Sequence, residues 1–579
     1  MPPTAKLPLK AFWDAVEQRL TACSAEELRT ILRALARETS PSERQVFLGR
    51  LQPPEGVDTS VLQAIQQEDL LADIDDLIQE MQNEMENFDE DRYDWQEWDD
   101  EDSLGPYEPF VDPLSVLFDR TEAVFDQGNL PLARTAYQKL FAALNLEDEY
   151  GRGVRPGDLE AVDIDVACAR YLRAVYEGEP PAQRPEVLFA QLLEVQSWGS
   201  GRLPMLSELL EVLPQPLSGQ EQFLSDWIAL LKTREGYEAD TWLREAIRLT
   251  RGAAGLAELA RREGLQRPRA YLDWCAVLAQ EGQPHQVLDA AREALQTLPP
   301  ALPMRAAIAD YLCQAATTLQ QPEIIQAGRW EAFQAKPTLR RLLEFRDAVP
   351  DGEQQQQLLT AARYLQDCLD HPPAYIEEYV YKRADDLEIP IRVHESTLAH
   401  AYLLAGEWES ARQLSLPAKV LGWSSSTNPQ GLVVAFFLTL LSGKTANTLP
   451  TNLRQLWLWS LQNSVGFGEW QFAPDGETAP TERLGRIYSD LFSHFTLAID
   501  SQEQLLTWCL EVAKQRVQAI VGGQHRNSYD KAAVLISACA EVLRSRGNRQ
   551  EASLLLAEIR NRFPRHRAFL KELSAASGI

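Results

Sequence analysis

A spacing of small and apolar residues around a glycine recurs along this 579-residue chain and limits the folds open to it. The successive gaps are three, four, five, four and three residues, with the glycine in third place. Three complete copies and one partial copy occur, at Thr121, Val124, Gly128, Ala133, Tyr137 and Leu140; at Cys275, Leu278, Gly282, Val287, Ala291 and Ala294; at Ala540, Leu543, Gly547, Ala552, Leu556 and Ile559; and at Ala399, Tyr402, Gly406 and Ala411. Gaps of three and four keep side chains on one helix face, and glycine commonly ends a helix. Each copy therefore predicts two helices joined at the glycine.

Helical hairpins that recur at separated places predict a continuous stacked core, because one hairpin cannot bury both of its faces. The length agrees with this, since 579 residues exceed a typical single core whereas a repeat array grows by addition. No convincing set of alternating strands accompanies the hairpins. The sequence therefore predicts an all-α fold of stacked helical hairpins, that is, an α-solenoid.

The spacing resembles that of the tetratricopeptide repeat, in which two helices meet near a glycine and pack through small residues. The match is best over Ala540–Pro564, where Pro564 falls at the place where that family tends to break the chain. The intervals between copies are not multiples of the family's period of about 34 residues, so the repeats are degenerate or interrupted and a generic α-solenoid is the alternative. The resemblance implies recognition of a protein along a concave surface, and it assigns no ligand-binding residue.

Proline and glycine breaks and changes in composition divide the chain into five predicted segments. These are a small N-terminal helical unit at 1–56, an amphipathic helix at 57–83, an acidic and aromatic-rich linker at 84–112, a first helical-repeat region at 113–350, and a second helical-repeat region at 351–579 that ends in a basic hairpin.

The acidic linker holds much of the formal net charge of -29. Residues 84–102 contain eleven acidic side chains, and so many like charges with few apolar residues predict a disordered arm. Aromatic residues are interleaved with the acids, and we expect partner contact at Phe88, Tyr93, Trp95 and Trp98. The alternative is a plain linker, or one that packs back onto the chain's own repeats.

The last hairpin is rich in arginine. We expect partner contact at Arg560, Arg562, Arg565 and Arg567, whose positive charge could also meet the acidic arm or an acidic molecule. The alternative is an ordinary solvated helix face. Direct binding of nucleic acid is disfavoured, because phosphate binding needs a large basic field and the chain is strongly acidic.

No complete catalytic or cofactor motif is present. The stretch Ser442-Gly443-Lys444-Thr445 resembles the end of a phosphate-binding loop, but Leu438 occupies the position of its first glycine, so it predicts a helix end. The serines at 424–426 lack the glycine that closes a nucleophile elbow and predict a loop. The seven histidines have no metal-site spacing and are expected in turns or facing solvent. We therefore expect no catalytic residue, no cofactor and no metal.

The cysteines and the apolar segments favour a cytoplasmic protein. Seven cysteines are widely scattered, as expected of reduced and mostly buried thiols. The strongest apolar run, Gly431–Leu441, is about half the length that spans a bilayer and predicts a buried helix, and no secretory signal is apparent. We expect no membrane contact.

These patterns together favour a non-enzymatic scaffold or adaptor that binds a protein partner on a helical-repeat surface. A basic protein is one candidate for this partner, and the acidic arm is expected to serve docking or regulation. One alternative is an acidic inhibitor that sequesters a basic nucleic-acid-binding or transcription factor. A second is an enzyme whose site is assembled from residues distant in sequence.

Overall fold

The computed structural model describes residues 59–86, 105–148, 151–196, 198, 202–300, 302–372, 393–445, 448–465, 480–494 and 499–578. Regular structure within these ranges is helical, and they contain no β-strand. The predicted all-α class is therefore confirmed. The predicted N-terminal unit at 1–56 and residues 87–104 of the predicted acidic linker at 84–112 lie outside the described residues.

The chain divides into two compact units, Met1–Thr250 and Arg251–Ile579. The helices described up to the boundary are α1 (Thr59–Glu86), α2 (Val111–Asp126), α3 (Leu130–Ala143), α4 (Ile164–Gly178), α5 (Arg184–Val195), α6 (Leu206–Glu211), α7 (Gln220–Leu231) and α8 (Tyr237–Glu263). The boundary falls within α8, next to Gly252, where the backbone leaves the helical conformation. The five segments expected from the sequence stay predictions.

The first unit is built by consecutive packing of its helices. Helix α2 packs on α3, α3 on α4, and α4 on α5 and α6. Helix α1 lies against α2 and α3 through Leu70, Ile74, Leu77 and Met81, which are buried and spaced four, three and four residues apart. That spacing is the amphipathic pattern of a helix with one face on a core.

The second unit continues from α8 with fifteen described helices, numbered here in chain order. They are α9 (Arg269–Gln280), α10 (Pro284–Thr297), α11 (Arg305–Thr318), α12 (Pro322–Ala335), α13 (Leu339–Asp347), α14 (Gln354–Asp370), α15 (Glu395–Ala405), α16 (Trp408–Ser415), α17 (Gln430–Leu441), α18 (Thr451–Ser464), α19 (Pro480–His494), α20 (Ile499–Val517), α21 (Tyr529–Ser545), α22 (Arg549–Arg562) and α23 (Arg567–Ser577). From α9 to α19 each helix packs on the next one.

The last part of this unit is arranged around one central helix. Helix α21 packs on α17, α18, α20, α22 and α23, and most of its side chains are buried. Helix α17, which contains the apolar run Gly431–Leu441, is buried along nearly its whole length, as predicted. The start of α21 lines the candidate site described below.

The four predicted hairpins share one turn geometry. Their central glycines, Gly128, Gly282, Gly406 and Gly547, have φ of 83°, 68°, 78° and 90°. In each turn the glycine N–H donates to the carbonyl three residues back, and the next N–H donates to the carbonyl five residues back, with N···O distances of 2.9–3.2 Å. This is the Schellman arrangement that satisfies the last carbonyls of a helix. The hairpin prediction is confirmed at all four places.

A fifth hairpin, α11 to α12, has the same turn without a glycine. Gln320 takes the left-handed conformation with φ of 56°, its N–H donates to Thr317 O over 3.1 Å, and the N–H of Gln321 donates to Ala316 O over 2.9 Å. The sequence pattern missed this copy because glutamine stands where the other copies have glycine. Packing between the two helices holds the less favourable backbone in place.

Candidate functional site

A cavity of about 520 Å³ opens in the second unit. Its walls come from the loop at residues 416–429 that follows α16, from α18, from the end of α20 and from the start of α21. A volume between about 300 and 1,000 Å³ is typical of sites that hold small ligands or single side chains of a partner.

The backbone between α20 and α21 brings both helix ends to the cavity. Helix α20 runs into a π-helical turn at Gln518–Gly522, and Gln524 then takes a left-handed conformation with φ of 58°. The N–H of His525 donates to Ile520 O over 2.9 Å and closes the turn. Single π-turns often occur at functional sites, because they shift the direction of a helix end.

The loop at residues 416–429 places an indole ring in the wall. Asn428 Nδ2 donates to Lys419 O and Leu421 O over 2.7 and 2.9 Å, and Trp423 Nε1 donates to Gln430 Oε1 over 3.2 Å. Gly431 lies directly against the ring, since a Cβ there would lie 3.0 Å from its carbon atoms. The glycine therefore permits the close approach that seats Trp423.

Arg516 is the central charged group of the cavity. Its side chain is only 7% exposed, Nη1 donates to Val420 O, and Cζ lies 4.1 Å from the centroid of the Trp423 ring. Among the described residues no carboxylate forms an ion pair with it. Burial without a compensating carboxylate lowers the pKa of Arg516 to about 10, so the group is still charged near neutral pH.

Other buried arginines of the protein are differently satisfied. Arg173 forms an ion pair with Glu177 over 3.0 Å and donates to three backbone carbonyls. Arg305 pairs with Glu331 over 2.8 Å. These side chains fix loops and helix ends of the chain itself, whereas the guanidinium of Arg516 lines an open cavity.

The remaining polar lining adds cations and hydrogen-bond donors. His525 and Lys531 are exposed and contribute an imidazole and an ammonium group. The side chains of Ser424, Asn463 and Ser528 make no hydrogen bond to any residue that the structure describes. The lining includes no aspartate or glutamate, although the chain holds 85 acidic residues against 56 lysines and arginines. Such a site attracts an anion.

An apolar wall completes the cavity. It consists of Leu421, Leu456, Trp459, Ile520 and Leu535. Trp459 is partly exposed, and none of the described aromatic rings stacks on it. Cations and donors on one side with apolar surface on the other suit an organic anion, whose charged group and carrier would each find a matching wall.

None of the partner-contact residues expected from the sequence is among the described residues that line the cavity. Phe88, Tyr93, Trp95 and Trp98 are outside the described residues. The four arginines expected in the last hairpin, Arg560, Arg562, Arg565 and Arg567, gather around the turn from α22 to α23. The last three are exposed, Arg560 donates from Nη2 to Ser577 Oγ over 3.4 Å, and none of the four lines the cavity. Their role in partner binding stays a prediction.

The two motifs dismissed from the sequence behave as predicted. Gly443 has φ of 62° and follows the end of α17, and its N–H donates to Leu440 O over 3.2 Å, so it ends a helix. Ser424, Ser425 and Ser426 lie in a loop. The local pattern predicts Ser424, which lines the cavity, only as a loop residue, and no pattern points to Arg516, His525 or Lys531 as lining residues. The one local signal is the Gly522-Gly523 break after α20.

The expectation that the histidines face solvent or lie in turns is wrong for His400, which is completely buried. Its Nδ1 lies 2.7 Å from Tyr488 Oη and its Nε2 lies 2.8 Å from Ser464 Oγ. Because Ser464 donates its proton to Leu461 O, His400 donates from Nε2 and accepts at Nδ1. Burial lowers the pKa of His400 to about 3, so this histidine is a neutral core residue.

The thiols follow the prediction where they are described. Cys168, Cys275, Cys313, Cys509 and Cys539 are free and buried, and Cys368 is free and partly buried. Over the described ranges, no cluster of three or more His, Cys, Asp or Glu side chains could hold a metal ion. None of the described helices has the length and apolarity needed to cross a membrane.

The chain matches no protein-family model, and no curated protein matches its sequence.

Proposed function

We propose that this chain is a non-enzymatic adaptor of tetratricopeptide-like helical hairpins that binds a protein partner on its second unit. The partner inserts an anionic side chain into the cavity beside Arg516. The observation that carries this proposal is the guanidinium of Arg516, which is 7% exposed, lines an open cavity and has no carboxylate partner in the described chain.

The buried charge of Arg516 favours the binding of an anion. Removing a guanidinium from water is costly unless an anion and further hydrogen bonds compensate it. Within the described chain, Arg516 has one backbone carbonyl and the face of Trp423. An incoming anion would therefore meet a cation that is already desolvated and held in place, so little ordering would oppose binding.

The surroundings of the cavity match the usual anatomy of a protein interface. Arginine and tryptophan are the side chains that most often dominate binding energy, and they contribute most where the surrounding contacts exclude water. Here Leu421, which is 36% exposed, lines the cavity together with Trp459 of α18. The cationic centre and these apolar side chains form a compact anchor site for a partner segment.

A position-specific cross-linking experiment tests the proposal. A photo-reactive residue replaces Leu421, which lines the cavity, and in a matched control it replaces Leu554, which is 61% exposed on α22. We expect one protein to cross-link from position 421 but not from position 554. The substitution Arg516→Met in the same background should reduce its yield by about tenfold, the effect of losing one charge-assisted contact.

Two outcomes would contradict the proposal. One is an absence of any specific cross-link at position 421, and the other is equal yield with and without Arg516. Deleting residues 84–102 tests the alternative in which the acidic arm sequesters a basic factor. If the chain is an adaptor, the cross-link at position 421 should survive this deletion.

A further inference from the structure

We infer that the anionic group received beside Arg516 is a phosphate monoester, carried by a phosphorylated side chain of the partner. This inference rests on the proposed function and names the chemistry that the cavity recognises.

The cavity offers more hydrogen-bond donors than a carboxylate needs. A phosphate monoester has three terminal oxygens and a charge near −2 at neutral pH, whereas a carboxylate has two oxygens and a charge of −1. One guanidinium is enough to satisfy a carboxylate through two parallel hydrogen bonds. The cavity instead offers three basic side chains, from Arg516, His525 and Lys531, together with hydroxyl and amide donors that have no partner in the described chain.

The start of α21 lies at the cavity. Ser528 is the N-cap residue of this helix, yet its hydroxyl makes no capping hydrogen bond and lines the cavity instead. The positive end of the helix dipole favours a phosphate at such a place. The independent observation at the same cavity is Arg516, which is more than nine-tenths buried and lacks an ion-pair partner in the described residues.

The position of Lys531 supports the same conclusion. A cation in the first turn of a helix is unfavourable for stability, because it meets the positive end of the dipole. Lys531 lies in the first turn of α21 and faces the cavity, while the neighbouring Asp530 is outside the lining. A bound dianion would turn this unfavourable placement into an attractive one.

The cavity also has space for the organic group that carries the phosphate. The cavity of about 520 Å³ extends along the apolar wall that includes Trp459 and Leu535, so it is larger than an inorganic phosphate ion requires. A phosphorylated side chain would place its carrier atoms on this wall. We therefore expect an organic phosphate to bind more tightly than inorganic phosphate.

Calorimetric titration of the full chain tests the inference with three probes: phenyl phosphate, inorganic phosphate and benzoate. We expect phenyl phosphate to bind about tenfold or more tightly than either of the other two, since each loses a set of contacts. Arg516→Met and Lys531→Gln should each weaken phenyl phosphate by about tenfold. Arg549→Gln, which changes an exposed arginine outside the lining, is the matched control and should bind as the unchanged chain does.

The result that overturns the inference is benzoate binding as tightly as phenyl phosphate, or phenyl phosphate binding that ignores both substitutions. Ser528→Ala provides a further variant if Arg516→Met fails to fold, and it should weaken phenyl phosphate but not benzoate. Circular dichroism confirms the helical content of each variant.

Phosphatase treatment of the cell lysate that supplies the partner, before cross-linking, separates this inference from the proposed function. We expect the cross-link at position 421 to disappear after treatment. A cross-link that depends on Arg516 but resists phosphatase would leave the adaptor standing with a carboxylate anchor, and the phosphate inference would fail. Tight phenyl phosphate binding together with a phosphatase-resistant cross-link would point to a free phosphate ester as ligand and would also overturn the phosphorylated partner.

Discussion

The guanidinium of Arg516 lies on the face of the Trp423 ring, with 4.1 Å between Cζ and the ring centroid. Trp423 Nε1 also donates a hydrogen bond to Gln430 Oε1, so the indole is fixed before any ligand arrives. A cation over an aromatic face is stabilised by roughly 0.5–2 kcal/mol, depending on its desolvation. Trp423 thus holds Arg516 at the cavity wall without neutralising its charge.

Arg516→Met should change the stability of the fold only slightly. The substitution removes one hydrogen bond to Val420 O, worth about 1 kcal/mol, but it also removes the cost of burying a charge. We expect the free energy of unfolding, measured by urea denaturation, to change by about 1 kcal/mol or less.

Arg173→Met is the control for this substitution. It would leave the carbonyls of Leu209, Gln215 and Pro216 without this donor and would remove the cation that pairs with Glu177. Breaking such a buried network costs about 3–5 kcal/mol. If Arg516→Met destabilised the protein as much as Arg173→Met, Arg516 would be a structural residue.

The hairpin turns predict opposite effects of substitution at two equivalent positions. Gly547 has φ of 90° and nothing within 4 Å of a built Cβ, so Gly547→Ala should destabilise through backbone strain alone, by about 1 kcal/mol. Gln320→Gly should relieve the strain at φ of 56° and stabilise the protein by up to about 1 kcal/mol. Chemical denaturation of both variants checks the signs. A destabilised Gln320→Gly variant would show that the glutamine side chain matters more than its backbone.

His400 predicts a loss of stability in mild acid. Its folded-state pKa of about 3 lies below the ordinary value of 6.5, so between these values the unfolded state binds more protons. The free energy of unfolding therefore falls as the pH drops from about 6.5 towards about 3, at about 1.4 kcal/mol per pH unit, and is unaffected by this group above that window. At pH 5 the loss from His400 should reach about 2 kcal/mol.

Urea denaturation at pH 7.5 and pH 5.0 measures this effect in the unchanged chain and in His400→Gln. The difference between the two pH values should be about 2 kcal/mol smaller in the variant. His371→Gln is the matched control, because it removes a histidine whose side chain is 80% exposed. Equal pH dependence in all three proteins would mean that His400 is protonated in the fold.

A carboxylate from α21 caps the start of α18. Glu541 accepts hydrogen bonds from the backbone N–H of Asn452 over 3.2 Å, from Asn452 Nδ2 over 2.7 Å and from the N–H of Leu453 over 2.9 Å. The negative charge also lies at the positive end of the α18 dipole. Glu541→Gln should therefore lower the free energy of unfolding by about 1–2 kcal/mol.

Glu558→Gln is the matched control for Glu541→Gln. Glu558 is 48% exposed and pairs only with Lys514 over 2.7 Å among the described residues, and such surface pairs contribute less than about 1 kcal/mol. Thermal denaturation of both variants provides the measurement. Equal shifts in Tm would mean that the contact with α18 contributes no more than a surface ion pair.

Local patterns in the sequence were enough to predict the hairpins. A helix face depends on residues three and four apart, and the turn depends on one residue that adopts positive φ. Both are therefore visible as a sequence pattern within about twenty positions, as around Gly128 and Gly547. The pattern is missing at Gln320, because the left-handed conformation is imposed there on a residue that does not favour it.

The environment of individual polar residues could not be read in the same way. His400 meets Tyr488 and Ser464 at sequence separations of 88 and 64 residues, and no local pattern reports such a partnership. A histidine on a helix is equally compatible with solvent and with a hydrogen-bonded core until the neighbouring helices are placed.

By itself, the sequence determined an all-α chain of hairpins, the apolar helix that ends before Gly443, and buried thiols such as Cys275. Each follows from local propensity and periodicity. Only the tertiary structure decided where the acidic chain concentrates positive charge, since the cavity joins Ser424 to Arg516 and Lys531 across the packing of α20 and α21. Electrostatic and solvation energies depend on distance in space, and folding alone sets those distances.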